Sequence, residues 1–353
     1  MKRNLYSESD IWLKDEGGCE NVVISSRIRL ARNLSKIPFS THAKPEELAN
    51  VERLVDERIQ SILAFNDYES ISLHDVSQFT RRYLKESHII SPEMEKGGEH
   101  RKVYLSPGGR ISIMVNEEDH LRFQILAAGY NLREILDELI KLDTKLVELL
   151  PIAFSEQLGF LTACPTNLGT GLRVSVMLHL PGLVFNRQIE DTIKMLQPLG
   201  VTIRGFYGED SEFTGDVFQI SNEASLGKNE EAIVDSIESI ANKVIEQEEE
   251  ARMELFDKRP LIVEDTVWRS FGILSQARLM DTQETMKLLS RIRLGIERKY
   301  FSKMNHYILN RLFFSIQPAH VEYKRQTGPN NQKRDAARAE LLRCLFTQSG
   351  SDN

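Results

Sequence analysis

Five arginines recur in the polar phase of alternating, strand-like segments, and two acidic clusters and a cysteine lie in the short connections beside them. Arg27 and Arg29 stand two residues apart in Ser25-Ser26-Arg27-Ile28-Arg29-Leu30, so in a strand they share one face while Ile28 and Leu30 take the other. Arg122 in Leu121-Arg122-Phe123-Gln124-Ile125 and Arg173 in Arg173-Val174-Ser175-Val176 fall in the same phase, and Arg204 ends the segment that begins at Val201. One such arginine is an ordinary solvated side chain. Five on one face, none replaced by lysine, repel each other unless a polyanion sits there, and guanidinium forks match phosphate oxygens better than ammonium groups do. A nucleoside triphosphate with Mg2+ fits, its phosphates spread over Arg27, Arg29, Arg122, Arg173 and Arg204.

The run Glu117-Glu118-Asp119-His120 precedes Arg122, and Glu209-Asp210 follows Arg204. Taken alone these are solvated loop carboxylates. Cys164 changes their meaning: it opens the turn Cys164-Pro165-Thr166-Asn167 ahead of the strand that starts at Arg173, where a guanidinium can stabilise a thiolate. Carboxylates and a thiolate beside a phosphate clamp suit a cationic acceptor. Glu118, Glu209 and Cys164 are the candidate residues of such a cation-binding pocket; the bland alternative for Cys164 is an inert buried thiol. Arginines with Mg2+ stabilise the charge of an in-line phosphoryl transfer. No Gly-x-x-x-x-Gly-Lys-Ser/Thr loop and no His-Arg-Asp loop occurs, which argues against the P-loop and eukaryotic-type kinase mechanisms.

Strands are predicted at 22–30, 121–126, 173–180, 201–206 and 217–221, with a hairpin of 103–105 and 111–116 around Ser106-Pro107-Gly108-Gly109. Helices are predicted at 45–63, at 131–150 and from 230 to about 256, and they cover the apolar face of an antiparallel sheet. Beyond Pro260 the pattern is helical only: 267–280, a helix capped by Asp281 with Glu284 three residues on, 300–316 and 331–346. The chain therefore reads as α+β, with a catalytic domain at 1–256 and a separate helical C-terminal domain at 257–353.

The 353 residues carry a net charge of −7, which argues against nucleic acid as the main partner. Three scattered cysteines, Cys19, Cys164 and Cys344, make no disulfide framework or zinc site, and no protein ligands for a metal are expected. The amino terminus lacks the apolar run of a signal peptide and no long apolar stretch follows, so a soluble, cytoplasmic protein is expected.

The segments Ser25-Ser26-Arg27-Ile28-Arg29, Asn116-Glu117-Glu118-Asp119-His120-Leu121-Arg122, Cys164-Pro165-Thr166-Asn167-Leu168-Gly169-Thr170 and Arg204-Gly205 through Glu209 resemble the ATP:guanido phosphotransferase (phosphagen kinase) family, over roughly residues 20 to 250. The resemblance implies its fold, an antiparallel sheet flanked by helices and related to glutamine synthetase. It also implies ATP and Mg2+ as cofactors, the same five arginines on the phosphates, Glu118, Glu209 and Cys164 on the guanidinium, and His88 against the base. Members that act on free creatine or arginine carry a helical domain ahead of the first arginine motif, whereas 24 residues precede Ser25 here. The expected pocket is open enough to admit an arginine still attached to a polypeptide. That points to the bacterial members that phosphorylate protein arginine, mark proteins for a Clp protease and inactivate a heat-shock repressor. Their C-terminal domain has a phosphoarginine-binding motif similar to Arg334-Asp335-Ala336-Ala337-Arg338-Ala339, with Arg334, Asp335 and Arg338 as the ligand residues. The resemblance further implies a zinc-finger activator and a homodimer. A small-molecule arginine kinase and a non-catalytic phosphoarginine-binding adaptor stand as alternatives.

Overall fold

The computed structural model describes residues 11–14, 17–63, 68–206 and 213–349. Its centre is an eight-stranded, wholly antiparallel sheet in the order β2-β3-β4-β5-β1-β8-β10-β9. The strands are β1 (Val23–Arg32), β2 (Glu69–Ser72), β3 (Lys102–Leu105), β4 (Ile111–Val115), β5 (Leu121–Ala128), β8 (Leu172–His179), β9 (Val201–Gly205) and β10 (Val217–Asn222), and β6 (Phe154–Ser155) and β7 (Gly159–Phe160) form a separate small hairpin. The helices are α1 (Pro45–Ile62), α2 (Gln78–Glu86), α3 (Pro92–Glu95), α4 (Leu132–Leu149), α5 (Pro181–Phe185), α6 (Ile189–Leu196), α7 (Glu230–Lys258), α8 (Pro260–Gln276), α9 (Thr282–Glu297), α10 (His306–Ser315), α11 (Pro318–Arg325) and α12 (Asn331–Ser349). The sheet, its flanking helices and the helical tail match the expected α+β class.

Alternation gives the sheet two unlike faces. Ile28, Leu30, Phe123, Ile125, Val174, Val176 and Ile220 point to one side and are buried beneath apolar helix stripes. Those stripes are Val51, Val55 and Ile59 of α1, Ile135, Leu139 and Leu142 of α4, and Ile233, Ile237, Ile240 and Val244 of α7, at the three- or four-residue spacing of a helix face.

The opposite face is divided into three zones. At the β2 end, Ile71, Val103, Leu105 and Met114 pack with Leu84 of α2 and Met94 of α3. In the middle stand the arginines. At the far end Ile24, Leu126, Met177 and Val217 join a core built from Val263 and Val267 of α8, Leu289 of α9, Phe313 of α10 and Phe346 of α12. The helical tail thus shares its core with the sheet. A β-bulge makes this possible: the β1–β8 register shifts between Val23 and Ser25, and Ile24 emerges on the arginine side. Buried arginines fasten the junction. Arg293 donates to His179 Nδ1 (2.9 Å) and the Asn21 carbonyl (2.6 Å), while Arg252 pairs with Glu248 and donates to the His179 carbonyl (2.8 Å).

Two expected boundaries move. The helix expected at 267–280 runs from Pro260 to Gln276, because Pro260 takes the first helical position, where its missing N–H costs nothing. The helix expected at 300–316 begins at His306, with the Asn305 side chain accepting from the Ile308 N–H (2.9 Å).

Candidate active site

The register places the arginines side by side. Arg29 of β1 lies directly opposite Arg173 of β8, and Arg27 opposite Ser175; on the other flank Arg29 faces Gln124 of β5. Arg122 follows on β5, and Arg204 of β9 pairs with Gln219 of β10. Polar residues in the same phase accept from the guanidiniums: Arg27 donates to Gln219 Oε1 (3.0 Å), and Arg173 donates to Ser221 Oγ (3.1 Å). Arg32 occupies the other phase and does a different job. Fully buried, it donates to both oxygens of Asp143 and to the Thr170 carbonyl (2.7 Å), which holds the loop carrying Cys164.

Like charges opposite one another destabilise a sheet. Burial first, then the guanidiniums of Arg173, Arg122 and Arg204, lowers the Arg27 pKa to about 10. Arg29 is pushed well below its ordinary value by burial and by Arg27, Arg122 and Arg173, against the opposing pull of Glu117, and its buried Nε has no hydrogen-bond partner. An unsatisfied buried donor within a crowd of cations is what a bound polyanion relieves.

All five arginines line one cavity of about 960 Å3, together with His88, Glu117, Glu118, Cys164, Thr166, Asn167 and Glu223. The β4–β5 connection delivers the carboxylates. Asn116 turns it with a positive φ of 56°, a conformation that asparagine tolerates. Glu117 is then 3% exposed; it accepts from Arg122 (2.6 Å) and from the Glu118 N–H (2.9 Å). Glu118 projects further, with its side chain 40% exposed and a carboxylate oxygen 3.7 Å from Arg122. Asp119 turns inward and accepts from Asn33 Nδ2 and the Ala163 N–H, both at 2.7 Å, so one buried carboxyl ties the acidic turn to the residue before Cys164. Burial raises its pKa against those two bonds. Cys164 Sγ lies 3.0 Å from Thr166 Oγ1.

His88 forms another wall. Its ring packs 5.3 Å from Phe206 and 5.1 Å from Phe314 of α10, and burial, then Arg27 and Arg29, holds its pKa at about 3, so the imidazole is neutral. Glu209 and Asp210 lie outside the described residues. Arg334, Asp335 and Arg338 sit on α12, away from this cavity's lining. Arg338 is 1% exposed and donates to the carbonyls of Ile316 (2.8 Å) and Met280 (2.7 Å) and to Asp335 (2.7 Å), while Arg334 pairs with Glu322 (3.4 Å).

Sequence reasoning missed Glu117 and Asp119. Both belong to the acidic run it singled out, but nothing in a row of carboxylates says which ones the turn buries. Among the described residues no cluster of three or more histidine, cysteine or acidic side chains could hold a metal ion, and no helix is long and apolar enough to cross a membrane.

An arginine-floored antiparallel sheet, an acidic turn and a thiol loop thus meet at one cavity. Residues 50–251 match the family described as ATP:guanido phosphotransferase, C-terminal catalytic domain, and the chain belongs to that family of ATP-dependent phosphotransferases. Residues 260–353 match the protein-arginine kinase McsB C-terminal domain. The protein-arginine kinase of Symbiobacterium thermophilum is 42% identical over 339 residues, 95% of this chain and 96% of its own. That of Bacillus mycoides is 40% identical over 334 residues, 94% of each. Among solved structures, a lombricine kinase superposes with a TM-score of 0.57 at 26% identity, over 66% of this chain and 68% of that one. The duplicated taurocyamine kinase of Schistosoma mansoni, with transition-state analog components bound, gives 0.60 at 25% identity; the match covers 67% of this chain and 34% of that one.

Proposed function

We propose that this protein is a protein-arginine kinase that transfers the γ-phosphoryl group of ATP to arginine side chains of proteins. The observation that carries the reading is the convergence of Arg27, Arg29, Arg122, Arg173 and Arg204 with Glu118 and Cys164 on a single cavity. The names of the full-length relatives support the polypeptide acceptor.

The arginines bind and orient the nucleotide phosphates, and the Arg29 Nε gains the acceptor it lacks. Mg2+ would be held through the nucleotide phosphates that these arginines bind rather than by a protein cage, and would supply charge neutralisation there. Glu117 holds Arg122 in place. Glu118, projecting beside that pair, grips the acceptor guanidinium and takes its proton as the N–P bond forms and the bond to the leaving ADP oxygen breaks. Glu209 shares that grip, and Cys164, set by Thr166 and by the loop that Asp119 and Arg32 secure, orients the nitrogen that attacks. His88, neutral and flanked by Phe206 and Phe314, supplies a flat surface for the adenine.

Arg334, Asp335 and Arg338 we assign to a second, phosphoarginine-binding site. Arg334 is the more accessible of the two arginines, and a phosphate at Arg338 requires that guanidinium to exchange carbonyl partners. The resemblance extends the proposal to a cytoplasmic homodimer with a zinc-finger activator, and to a Clp ATPase and a heat-shock repressor downstream. A small guanidino compound as acceptor is the second reading, favoured by the likeness to the taurocyamine and lombricine kinases.

The test is 31P NMR after incubation with ATP and Mg2+, with either an unfolded arginine-rich protein or free arginine. Phosphoramidate on the protein is expected, and Glu118→Gln should cut its rate by about 100-fold or more while nucleotide still binds. Phosphorus on free arginine alone establishes the second reading instead.

A further inference from the structure

Beside the thiol loop lies an apolar shoulder that phosphoryl transfer itself does not use. The β6–β7 hairpin exposes Phe154 (59%) and Leu158 (42%), and the segment after β10 exposes Leu226 (50%). The hairpin and that segment both abut the thiol loop at Gly169. The Phe154 ring meets Phe160 edge-on at 5.2 Å, and the Arg32 guanidinium covers Phe160 at 3.4 Å. The Phe160 N–H donates to the Gly169 carbonyl (2.8 Å), and Gly169, at φ 99°, is pressed so close to Leu226 that a Cβ there would stand 2.9 Å from the Leu226 Cα. The Ser225 N–H donates to the Thr166 carbonyl (3.2 Å). Thr166, Asn167 and Glu223 line the reaction cavity, so the shoulder continues the cavity's thiol side out to the surface.

That continuity decides what covers it. An arginine whose guanidinium reaches Glu118 and Cys164 leaves its own backbone one side chain away, at the cavity rim. In an extended segment the residues two before and two after the arginine lie about 7 Å along the chain and point to the same side as it does. We propose that the Phe154–Leu158–Leu226 shoulder binds apolar side chains two residues from the target arginine, so that the preferred substrate is an extended, unfolded segment in which arginine is flanked by bulky apolar residues. The inference rests on the protein-arginine kinase reading and names its substrate class. Folded proteins bury such neighbours, whereas unfolded ones display them, and the carboxylates Glu118 and Glu223 at the rim disfavour acidic flanks.

The experiment compares two heptapeptides with a central arginine that differ only in carrying leucine or serine at the second position on either side. Phosphorylation is followed by mass spectrometry at neutral pH. The wild type should favour the leucine peptide by about 10-fold or more in kcat/KM. Phe154→Ser and Leu226→Ser, exposed substitutions whose folding is checked by circular dichroism, should each erode that preference while turnover of the serine peptide persists. Equal rates on the two peptides, or selectivity unchanged in both variants, overturn the proposal and leave the kinase reading standing. A variant that keeps its selectivity but loses oligomeric mass in sedimentation assigns the shoulder to a second copy of the chain and also overturns it. Phosphorylation of neither peptide removes the kinase reading and this inference with it.

Discussion

Replacing Arg27 by methionine should leave the empty protein about as stable as before, or slightly more so, and should sharply weaken its hold on nucleotide. The Arg27 pKa stands at about 10 against an ordinary 12.5. At about 1.36 kcal/mol per unit, that is roughly 3 kcal/mol of penalty on its charged form, from burial and from Arg173, Arg122 and Arg204. The substitution removes that penalty and also the bonds to Gln219 (3.0 Å) and Ser175 (3.4 Å). Those bonds are worth about 1 kcal/mol each, so the net change without ligand is a gain of about 1 kcal/mol. With ATP bound, the loss is a charge-assisted contact worth about 1.5 to 3 kcal/mol, which weakens binding by roughly 10- to 150-fold. Urea unfolding followed through Trp12 and Trp268 fluorescence, with and without ATP and Mg2+, measures both quantities on one sample. A fall of more than about 2 kcal/mol in the ligand-free protein, with nucleotide-induced stabilisation intact, would refute the argument that this face is strained to receive a polyanion.

Two further outcomes follow from buried charge. Glu86 lines the cavity and accepts from the Ala319 N–H (2.7 Å), and burial raises its pKa to about 7, against the weaker opposing pull of that bond, Arg82 and Lys85. The folded state therefore binds its proton more tightly than the unfolded chain; the stabilisation is complete below about pH 4.5 and is lost as pH rises through about 7. Glu86→Gln should match the wild type near pH 4.5 and exceed it by up to about 3 kcal/mol at pH 8; superimposable stability curves would count against this. Arg338→Ala strands the Ile316 and Met280 carbonyls and should cost roughly 2 to 4 kcal/mol in the same unfolding assay, whereas unchanged stability with lost phosphoarginine binding would make Arg338 a ligand residue first.

The arginine face could be read from the sequence because period two in a strand admits few alternatives: once Ile28 and Leu30 go to the core, Arg27 and Arg29 must share the other side. The acidic turn could not. Glu117 and Glu118 are chemically identical, and which one is buried against Arg122 follows from the left-handed Asn116 and the β4–β5 register, neither of which leaves a periodic trace. α2 escaped notice because its nine residues carry only three apolar side chains, Phe79, Tyr83 and Leu84, too short a run to establish a period, although Ser77 caps it through the Thr80 N–H. Nothing in the motif that marks Arg338 as a phosphoarginine ligand shows that its side chain is enclosed, because the carbonyls it satisfies come from segments 22 and 58 residues away. The cysteine loop lay between these cases. Its turn chemistry was evident in Pro165 and Asn167, while its anchors, Asp119 and Arg32, come from distant strand ends.

The irregularity between Val23 and Ser25 has a consequence for how this strand can change over generations. One extra residue there switches the parity of β1, so a single segment supplies Ile24 to one hydrophobic layer and Ile28 to the other while keeping Arg27 and Arg29 over the cavity. Point substitutions can be absorbed locally, but a one-residue slip of β1 past its neighbours beyond that irregularity would turn Arg27 to Leu30 over, burying two cations in grease and lining the cavity with isoleucine and leucine.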